Sequence, residues 1–505
     1  MQYGHKCHTK TEVHQTATII ILLFATALSF AVVGAVYVWR KKAGRQLEAY
    51  ISSRGSLGGF VTGLTLFASG MGSWILFGPA EAATWGGVPN IVGYALGSAL
   101  PLVLFIWIGR LLRNTMPAGH ALTEYVQVRF GGAMQTVTLV VMVFYLFIFL
   151  AAEVTGLALI IRSSSGTPLW ISSALVLAGT LLYTTLGGLR ASVFTDGLQT
   201  AVILPLGIVV VVATILTIGG FGEIHGRLEL LRPELLDSGF EPGIKGAFTL
   251  LLGMLSAGLF DQAIWQRVYA AKSEKALGRG LLLAACLIFP VVLVMGWFGL
   301  AAIVEGVADV PSEAFFQVVA ANMPPAFLWI VLVLGLLLVM SSADSIINGL
   351  ASLFSVEVHR RSPLSTPHQI LIAARWSTVL FAIPVFLIAT KGYSVLYLFL
   401  VADLLCAAAV VPVFSGLWHP RLSSRRVLLA LVCGLAGGLL LLPSPDTTWS
   451  LLGIILPEGH ILATGDLFLA FVVAILLPLL VVLIPSRGER FDVTTLTSQV
   501  NEIRD

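Results

Sequence analysis

One apolar segment of the chain carries a cluster of oxygen-bearing side chains. Residues 333–361 read VLGLLLVMSSADSIINGLASLFSVEVHRR, and the first eight of them suit a lipid-spanning helix. Hydroxyl, amide and carboxylate groups follow at Ser341, Ser342, Asp344, Ser345 and Asn348. Polar groups are costly at membrane depth, so the cluster is a candidate for function, and one use of such oxygens is to bind a hard cation. The alternative is that each hydroxyl bonds to the preceding turn of its own helix.

The composition places this cluster in a membrane protein. Of the 505 residues, 57% are hydrophobic and 11% are charged, whereas soluble domains average about 25% charged residues. The net charge is +3, and basic residues do not alternate with aromatic residues, so we expect no nucleic-acid partner. The four cysteines are Cys7, Cys286, Cys406 and Cys433, and none of them forms a C-x-x-C pair. The sequence therefore supports neither a zinc site nor a disulfide framework.

Thirteen apolar segments approach the length of about 20 residues that a transmembrane helix needs. They are long, continuous and rich in Leu, Ala and Gly, unlike the short alternating strands of a barrel. The first segment is too long for a signal peptide and precedes RKKAGR, so we interpret it as a retained helix. The predicted spans in the lipid bilayer are 17–39, 58–85, 88–112, 133–161, 168–187, 191–218, 246–270, 280–305, 326–355, 370–390, 394–416, 427–442 and 463–484.

Lys and Arg are distributed asymmetrically between the loops. If thirteen spans alternate in direction, only 7 of the 29 Lys and Arg residues share a side with the N-terminus. Cytoplasmic loops carry the excess of positive charge. The sequence therefore predicts an integral protein of the plasma (cell inner) membrane, with the N-terminus outside and the C-terminus in the cytoplasm.

Two spans contain residues that interrupt a helix. The second reads FASGMGSWILFGPAEAATWGG, with candidate breaks at Gly70, Gly72 and Gly78-Pro79. The seventh reads LLLGMLSAGLFDQAIWQR, with candidate breaks at Gly253 and Gly258 before Asp261. Such glycines either open the backbone beside a cavity or let two helices pack closely. Interrupted spans that lie five spans apart predict two inverted five-helix repeats with the binding site at the breaks.

These patterns divide the chain into six parts. We predict an extracellular N-terminus (1–16), a first helix with its loop (17–57), two five-helix repeats (58–218 and 246–416), two C-terminal helices (427–484) and a cytoplasmic tail (485–505).

Four motifs resemble those of the sodium:solute symporter family. The segment YTTLGGLRASVFTDGLQTAVIL at 183–204 is similar to the family signature. FASGMGSW, DQAIWQRVYAAKS and MSSADSIINGLASLFSVEVHRR match further family segments in the expected order. The resemblance extends over roughly residues 45 to 420. It implies the leucine-transporter-type 5+5 inverted-repeat fold, alternating access, and solute uptake driven by a sodium gradient.

The resemblance also implies a sodium site between the second and ninth spans. Its ligands would be backbone carbonyls and two hydroxyls, from Ala68, Met71, Leu338, Ser341 and Ser342. It places Asp196, in the T-D-x-x-Q motif, on the ion-release path, although Asp196 could also be a dipole-stabilised acid at a helix start. Asp344 either attracts the ion at longer range or serves helix packing or a vestibule.

One position departs from the family pattern. Proline/sodium symporters carry an acid between the positions that match Ser69 and Met71, and this chain has Gly70 there. The expected sodium site thus has one negative charge fewer. Three further acids are Glu81, Glu153 and Asp403. Each either has an internal packing partner or a role in function, which for Glu153 and Asp403 could be to neutralise a second cation.

The substrate pocket should lie at the midplane beside the two breaks. Aromatic rings and amides suit a small polar organic solute of the amino acid, urea, vitamin or sugar class. The candidate lining residues are Trp74, Phe77, Tyr94, Gln262, Trp265 and Gln266, although the aromatic ones could instead face lipid or other helices.

Three other functions compete with sodium-coupled transport. Proton coupling would need a relay inside the bundle; all nine histidines lie in loops or at span edges, whereas Asp344 and Glu153 keep this possibility open. A solute sensor would need a separate signalling partner. A membrane enzyme is not indicated, because the chain has no H-E-x-x-H, G-x-S-x-G or P-loop motif.

Overall fold

A computed structural model describes residues 10–41, 47–362, 366–457, 460, 462–485, 490–492 and 494–500. The described part consists of helices and their connections, without a named strand. Residues 1–9 of the predicted N-terminal segment and 501–505 of the predicted tail lie outside it. The helices are α1 Lys10–Lys41, α2 Leu47–Ile51, α3 Gly59–Gly70, α4 Trp74–Thr115, α5 Leu122–Phe130, α6 Gly132–Ser165, α7 Leu169–Thr217, α8 Gly220–Leu231, α9 Glu241–Phe260, α10 Gln262–Ala270, α11 Glu274–Val304, α12 Ala314–Asn322, α13 Pro325–Arg361, α14 Pro367–Ala389, α15 Val395–Ser415, α16 Ser424–Leu441, α17 Leu467–Leu483 and α18 Thr494–Gln499, with 3₁₀ turns at Pro233–Leu235, Pro311–Glu313 and Leu452–Ile454.

The helices coincide with the thirteen predicted spans. Within the described ranges, nine helices are long and apolar enough to cross a membrane, and four shorter apolar helices accompany them. The prediction of an all-helical polytopic membrane protein is confirmed. Helix α4 contains the second half of the second span together with the third span, and α7 contains the fifth and sixth spans.

Glycines with positive φ separate the joined spans. Gly87 in α4 has φ 60°, and Gly188 in α7 has φ 61°, a region that side chains rarely adopt. A Cβ at Gly87 would lie 2.2 Å from the carbonyl oxygen of Leu235, and one at Gly188 would lie 2.4 Å from the ring of Tyr50. Glycine therefore allows both the kink and the close packing at each corner.

The first interruption lies at Met71–Ser73, between α3 and α4. The expected break at Gly78-Pro79 is wrong, because α4 runs through both residues. Pro79 is the sixth residue of α4 and removes one hydrogen bond near its start without ending it. Gly78 instead makes room for Tyr94, whose hydroxyl oxygen would lie 2.3 Å from a Cβ at that position.

The second interruption lies at Asp261, between α9 and α10, and follows the predicted Gly258 by three residues. Asp261 is extended, and its Oδ1 accepts a hydrogen bond of 2.7 Å from the amide of Ala263. A carboxylate at this position satisfies an amide that the new helix leaves free. Helices α9 and α11 both pack along α4, so the two interrupted spans belong to one bundle.

A buried histidine ties three connecting segments together at one end of the bundle. His120, between α4 and α5, places its Nε2 2.7 Å from Glu48 Oε2. Gln262 at the start of α10 donates a hydrogen bond of 2.8 Å to the carbonyl of His120. Burial lowers the pKa of His120, but the carboxylates of Glu124 and Glu48 outweigh it and raise that pKa to about 9. Burial raises the pKa of Glu48, but chiefly His120, with Ser52 and Arg54, lowers it to about 2.

The His120–Glu48 pair predicts a loss of stability in alkali. Charged His120 stabilises the fold fully below pH 6.5, its ordinary pKa, and this contribution is lost as the pH rises through about 9. Ionised Glu48 contributes fully above pH 4.5, and its contribution is lost as the pH falls through about 2. We expect the thermal midpoint of the protein in detergent to fall by about 2 °C or more from near-neutral pH to about pH 10.

The matched variants are His120→Gln and, as a control, His368→Gln, which changes an exposed histidine at the start of α14. His120→Gln should flatten the alkaline part of the profile, and His368→Gln should leave it unchanged. Identical profiles for His120→Gln and the wild type would contradict the assignment.

Candidate functional site

The carboxylate of Glu153 holds the first interruption open. Glu153 lies on α6 and is fully buried, and its Oε2 accepts a hydrogen bond of 2.6 Å from the amide of Ser73. The hydroxyl of Ser73 donates to the backbone carbonyl of Glu153 at 3.2 Å. A Cβ at Gly72 would lie 1.9 Å from Glu153 Oε1, so only glycine admits the carboxylate here. The acid takes the amide that a continuous helix would have bonded to a carbonyl.

This opening exposes carbonyl oxygens that a helix would use. The last bond at the end of α3 runs from the amide of Met71 to the carbonyl of Phe67. The following amides do not bond to carbonyls of α3. The amide of Ile75 donates to the carbonyl of Gly72, and the amide of Ser73 donates to the carboxylate of Glu153. In the described part of the chain, no amide beyond α3 bonds to the carbonyls of Ala68 and Met71. These two oxygens are therefore available to a ligand.

Two serines of α13 face the interruption and donate to different acids. The hydroxyl of Ser341 donates to Asp196 Oδ1 at 2.7 Å, and that of Ser342 donates to Glu153 Oε2 at 2.9 Å. Both serines are fully buried. A hydroxyl that gives its hydrogen to a carboxylate presents its lone pairs to any other neighbour, and its oxygen becomes more negative. Both serines are thereby oriented as acceptors for a cation.

The free carbonyls lie at the end of α3, and α3 packs against α13, which carries the two serines. The arrangement suits a hard cation that prefers neutral oxygens with negative charge close behind them. Glu153 Oε1 has no hydrogen-bond partner among the described residues, although it is buried. The chain has no acid at Gly70, but the carboxylate of Glu153 on α6 supplies a negative charge at the same interruption. The sequence alone left the role of Glu153 open between neutralising a cation and bonding to a polar group.

Asp196 is bound into a buried ion pair. Its Oδ2 lies 3.2 Å from Arg267 Nη2 and accepts a hydrogen bond of 2.6 Å from Thr65. Both charged side chains are fully buried. Arg267 also donates to Ser345 at 2.8 Å, so the ion pair links α7, α10 and α13. Sequence reasoning missed the role of Arg267; the signal that could have found it is an arginine directly after an interrupted helix.

Asp344 lies beside this ion pair with neutral partners. Its Oδ1 accepts from Asn348 at 2.7 Å, and its Oδ2 accepts from Thr195 at 3.2 Å. No ion pair to Asp344 occurs within the described ranges, and Arg267 is paired with Asp196. When both acids are ionised, the cluster therefore carries one negative charge more than its single arginine balances. Such a cluster attracts either a cation or a proton.

A cavity of about 110 Å³ lies beside the interruptions of both spans. Two predicted lining residues, Trp74 and Tyr94, face it, and their rings stack with centroids 5.7 Å apart. The indole nitrogen of Trp74 donates to the carbonyl of Gly70 at 3.0 Å, which holds the ring against the break. We call this space the central cavity; its other lining residues include Tyr145, Phe149, Asp261, Phe399 and Asp403.

Four predicted lining residues lie elsewhere, and their assignment to the pocket is corrected. Phe77 packs against Phe316, with centroids 5.1 Å apart. Trp265 donates to the carbonyl of Leu259 at 2.9 Å. The amide groups of Gln262 and Gln266 donate to the backbone carbonyls of His120 and Ile51.

Gln262, Trp265 and Gln266 fill the contacts around α10, because their polar groups need partners inside the bundle. Sequence reasoning missed Tyr145 and Phe149 in the cavity, although their i, i+4 spacing on α6 indicates a shared face.

Glu81, the remaining acid of uncertain role in the sequence, lies outside the central cavity. Both of its carboxylate oxygens lie near the hydroxyl of Ser394, at 3.1 and 3.3 Å. Its partner is therefore a polar group at the start of α15, which agrees with one of the two expected roles.

Comparisons with known proteins relate the chain to membrane transporters. The family model described as the sodium:solute symporter family matches residues 50–434. The spermidine transporter DUR31 of Candida albicans is 27% identical over 413 residues, which cover 80% of this chain and 76% of that protein. The sodium/myo-inositol cotransporter 2 of Oryctolagus cuniculus is 25% identical and covers 81% and 68%. The sodium/glucose cotransporter 1 of Ovis aries is 26% identical and covers 68% and 59%.

Solved structures show the same fold. A Na⁺-coupled sialic acid symporter in a substrate-bound, outward-open state superposes with a TM-score of 0.73 at 18% identity, over 93% of this chain and 99% of that chain. A nucleobase-cation-symport-1 family transporter in a closed conformation gives a TM-score of 0.55 at 17% identity, over 86% and 94%. The predicted leucine-transporter-type fold is thereby confirmed.

The contact between Gly72 and Glu153 predicts a position that accepts no side chain. We expect Gly72→Ala to lower the free energy of unfolding by about 1–3 kcal/mol, because its methyl group would displace the carboxylate. Gly335→Ala on α13 is the control, since its Cβ would lie 3.3 Å from a flexible atom, Cδ1 of Ile160. Thermal unfolding in detergent measures both; equal midpoints for the two variants would contradict the contact.

Proposed function

The chain belongs to the sodium:solute symporter family, and from that premise we propose which of its residues bind the coupling ion. The protein is a secondary active transporter that couples sodium movement to the uptake of a small polar organic solute by alternating access. We assign sodium binding to the carbonyl oxygens of Ala68, Met71 and Leu338 and the hydroxyl oxygens of Ser341 and Ser342.

The observation that carries this assignment is the pair of acids behind the two serines. Sodium prefers about five or six oxygens, and the proposed set supplies five. Asp196 and Glu153 accept the hydrogens of Ser341 and Ser342, so the lone pairs of these hydroxyls can face the ion. The two carboxylates provide the charge that balances the cation without contacting it.

Ion binding at this place would couple to the conformation of the bundle. The ligands come from the end of α3 and from α13, so a bound ion would bridge these two elements. A ligand shifts a conformational equilibrium only by its difference in affinity for the two states. Sodium would therefore favour the arrangement in which α3 and α13 remain together.

We propose that Asp196 and Asp344 line the path by which sodium leaves this site. Ser341 connects the proposed ligand set to Asp196, and Asp344 lies in the same buried cluster. The single arginine of the cluster balances only one of the two acids. The remaining negative charge would attract the departing cation.

We further propose a plasma-membrane location, with the N-terminus outside and the C-terminus in the cytoplasm. The support is the charge asymmetry of the loops. The candidate solutes come from the relatives, which are named for spermidine, myo-inositol and glucose.

Removing both hydroxyls tests the sodium site. In proteoliposomes with an imposed sodium gradient, we expect Ser341→Ala/Ser342→Ala to raise the sodium concentration for half-maximal uptake by about tenfold or more, since each tenfold is about 1.4 kcal/mol. The panel of labelled solutes comprises spermidine, myo-inositol, glucose, urea, proline and pantothenate. Uptake by the wild type should cease when potassium replaces sodium.

A second measurement does not depend on the solute. Sodium should raise the thermal midpoint of the wild type relative to potassium at equal ionic strength, and the double variant should lose this effect. Ser355→Ala is the matched control, because the hydroxyl of this serine, on the same helix, donates to the carbonyl of Ala351 at 2.7 Å and has no other hydrogen bond among the described residues. A double variant with normal sodium dependence in both assays would refute the ligand assignment.

A further inference from the structure

The central cavity is lined by two acids, and both come from the second of the two predicted five-helix repeats. Asp261 reaches it from the interruption between α9 and α10, and Asp403 reaches it from α15. No Lys, Arg or His lines the cavity among the described residues. The neighbouring Arg267 is paired with Asp196 outside the cavity. The wall of the cavity is therefore acidic without a basic counterpart.

Of the two acids, Asp403 has the fewer hydrogen-bond partners. Its residue is 4% exposed, and no hydrogen bond or ion pair to its carboxylate occurs in the described part of the chain. Gly253 of α9 allows it to approach, since a Cβ there would lie 3.2 Å from Asp403 Oδ2. A buried carboxylate without a partner costs several kcal/mol unless a cation or a proton neutralises it. Its position on the cavity wall indicates that the occupant of the cavity supplies the partner.

Asp261 both caps α10 and lines the central cavity. Its Oδ1 accepts a hydrogen bond from the amide of Ala263. An occupant that contacts Asp261 would therefore also contact the residue at which the span is interrupted.

The rest of the wall consists largely of aromatic rings. Trp74 and Tyr94 stack on one another, and Phe149 packs edge-on against Phe399 with centroids 4.9 Å apart. Aromatic faces attract organic cations, most strongly where the contact is desolvated. Acids combined with aromatic faces are the recognition chemistry of an alkylammonium group.

A second sodium ion fits this cavity less well. Sodium needs a shell of five or six oxygens at close range. The hydroxyl of Ser98 already donates to the carbonyl of Tyr94 at 2.9 Å, and most of the remaining lining is hydrocarbon. A volume of about 110 Å³ also exceeds what a bare ion occupies.

We propose that the transported solute is a small organic cation that carries a protonated amine, bound through Asp403 and Asp261 within the aromatic wall. This inference rests on the proposed function, because it gives the substrate class of the same sodium-coupled site. Asp403 is the principal counter-ion, and Asp261 orients a second polar or cationic group of the solute.

The test compares amines with neutral molecules of matching shape. Putrescine and spermidine are the amines, and 1,4-butanediol replaces each ammonium group of putrescine by a hydroxyl. Myo-inositol and glucose are the neutral solutes. Binding is measured by calorimetry on the purified protein in sodium, and labelled uptake is measured in proteoliposomes in potassium-based buffers with and without a sodium gradient.

We expect at least one amine to bind and be transported, and 1,4-butanediol to do neither. Asp403→Asn should raise the half-saturating amine concentration at least tenfold while it retains the sodium-induced rise in thermal midpoint. Glu81→Gln is the matched control, since it neutralises an acid of the same bundle outside the cavity, and it should behave as the wild type.

The outcomes separate the two proposals. Sodium-driven uptake of myo-inositol or glucose that a hundredfold excess of the amines does not inhibit would overturn the substrate class and leave sodium coupling intact. The substrate class is also overturned if no amine binds, or if Asp403→Asn retains full affinity for the amine. Amine binding that weakens in Asp403→Asn, with uptake that ignores the sodium gradient, would overturn the coupling and uphold the substrate class.

Discussion

The structure depends on one hydrogen-bonded carboxylate at the point where a membrane helix stops. A free amide in a bilayer costs several kcal/mol, so the chain can open at Met71–Ser73 only if another group satisfies it. Glu153 accepts from the amide of Ser73 and from the hydroxyl of Ser342, and thereby joins three helices at the opening. Gly72 completes the arrangement, because any larger residue would occupy the space of the carboxylate.

The same principle organises the charges of the bundle. Asp196 is balanced by Arg267, Glu81 is bonded to Ser394, and Asp344 and Asp403 have no ion-pair partner among the described residues. Buried charge is tolerated when a partner or a ligand compensates it. Asp344, whose partners are neutral, lies on the proposed exit path of sodium, and Asp403 lies on the wall of the central cavity.

Much of the fold could be predicted because the bilayer imposes strict lengths and compositions. The thirteen apolar segments, their helical character and the two interrupted spans all follow from those constraints, and the family motifs identified the fold. Local breaks were less predictable. A glycine-proline pair suggested a break at Pro79. The break lies instead at Met71–Ser73, where Glu153 accepts a hydrogen bond from the amide of Ser73.

Some site residues could likewise be predicted from the sequence, and others could not. The serines of α13 stand out because hydroxyls are rare in such a segment, and Trp74 and Tyr94 lie near a recognisable break. Gln262, Trp265 and Gln266 belong to a motif, yet their side chains satisfy backbone carbonyls around α10. Whether a polar residue faces a cavity or a carbonyl depends on helix rotation, which neither hydropathy nor spacing determines.

The central claim is that sodium binds between the opened end of α3 and the serines of α13, with Glu153 as the charge behind it. Equilibrium binding of sodium-22 to the purified protein, with Glu153→Gln alongside the wild type, tests this claim most directly. We predict saturable binding to the wild type that unlabelled sodium displaces and potassium does not, and at least tenfold weaker binding to Glu153→Gln. Equal sodium affinity in both proteins, or no saturable binding to the wild type, would contradict the account.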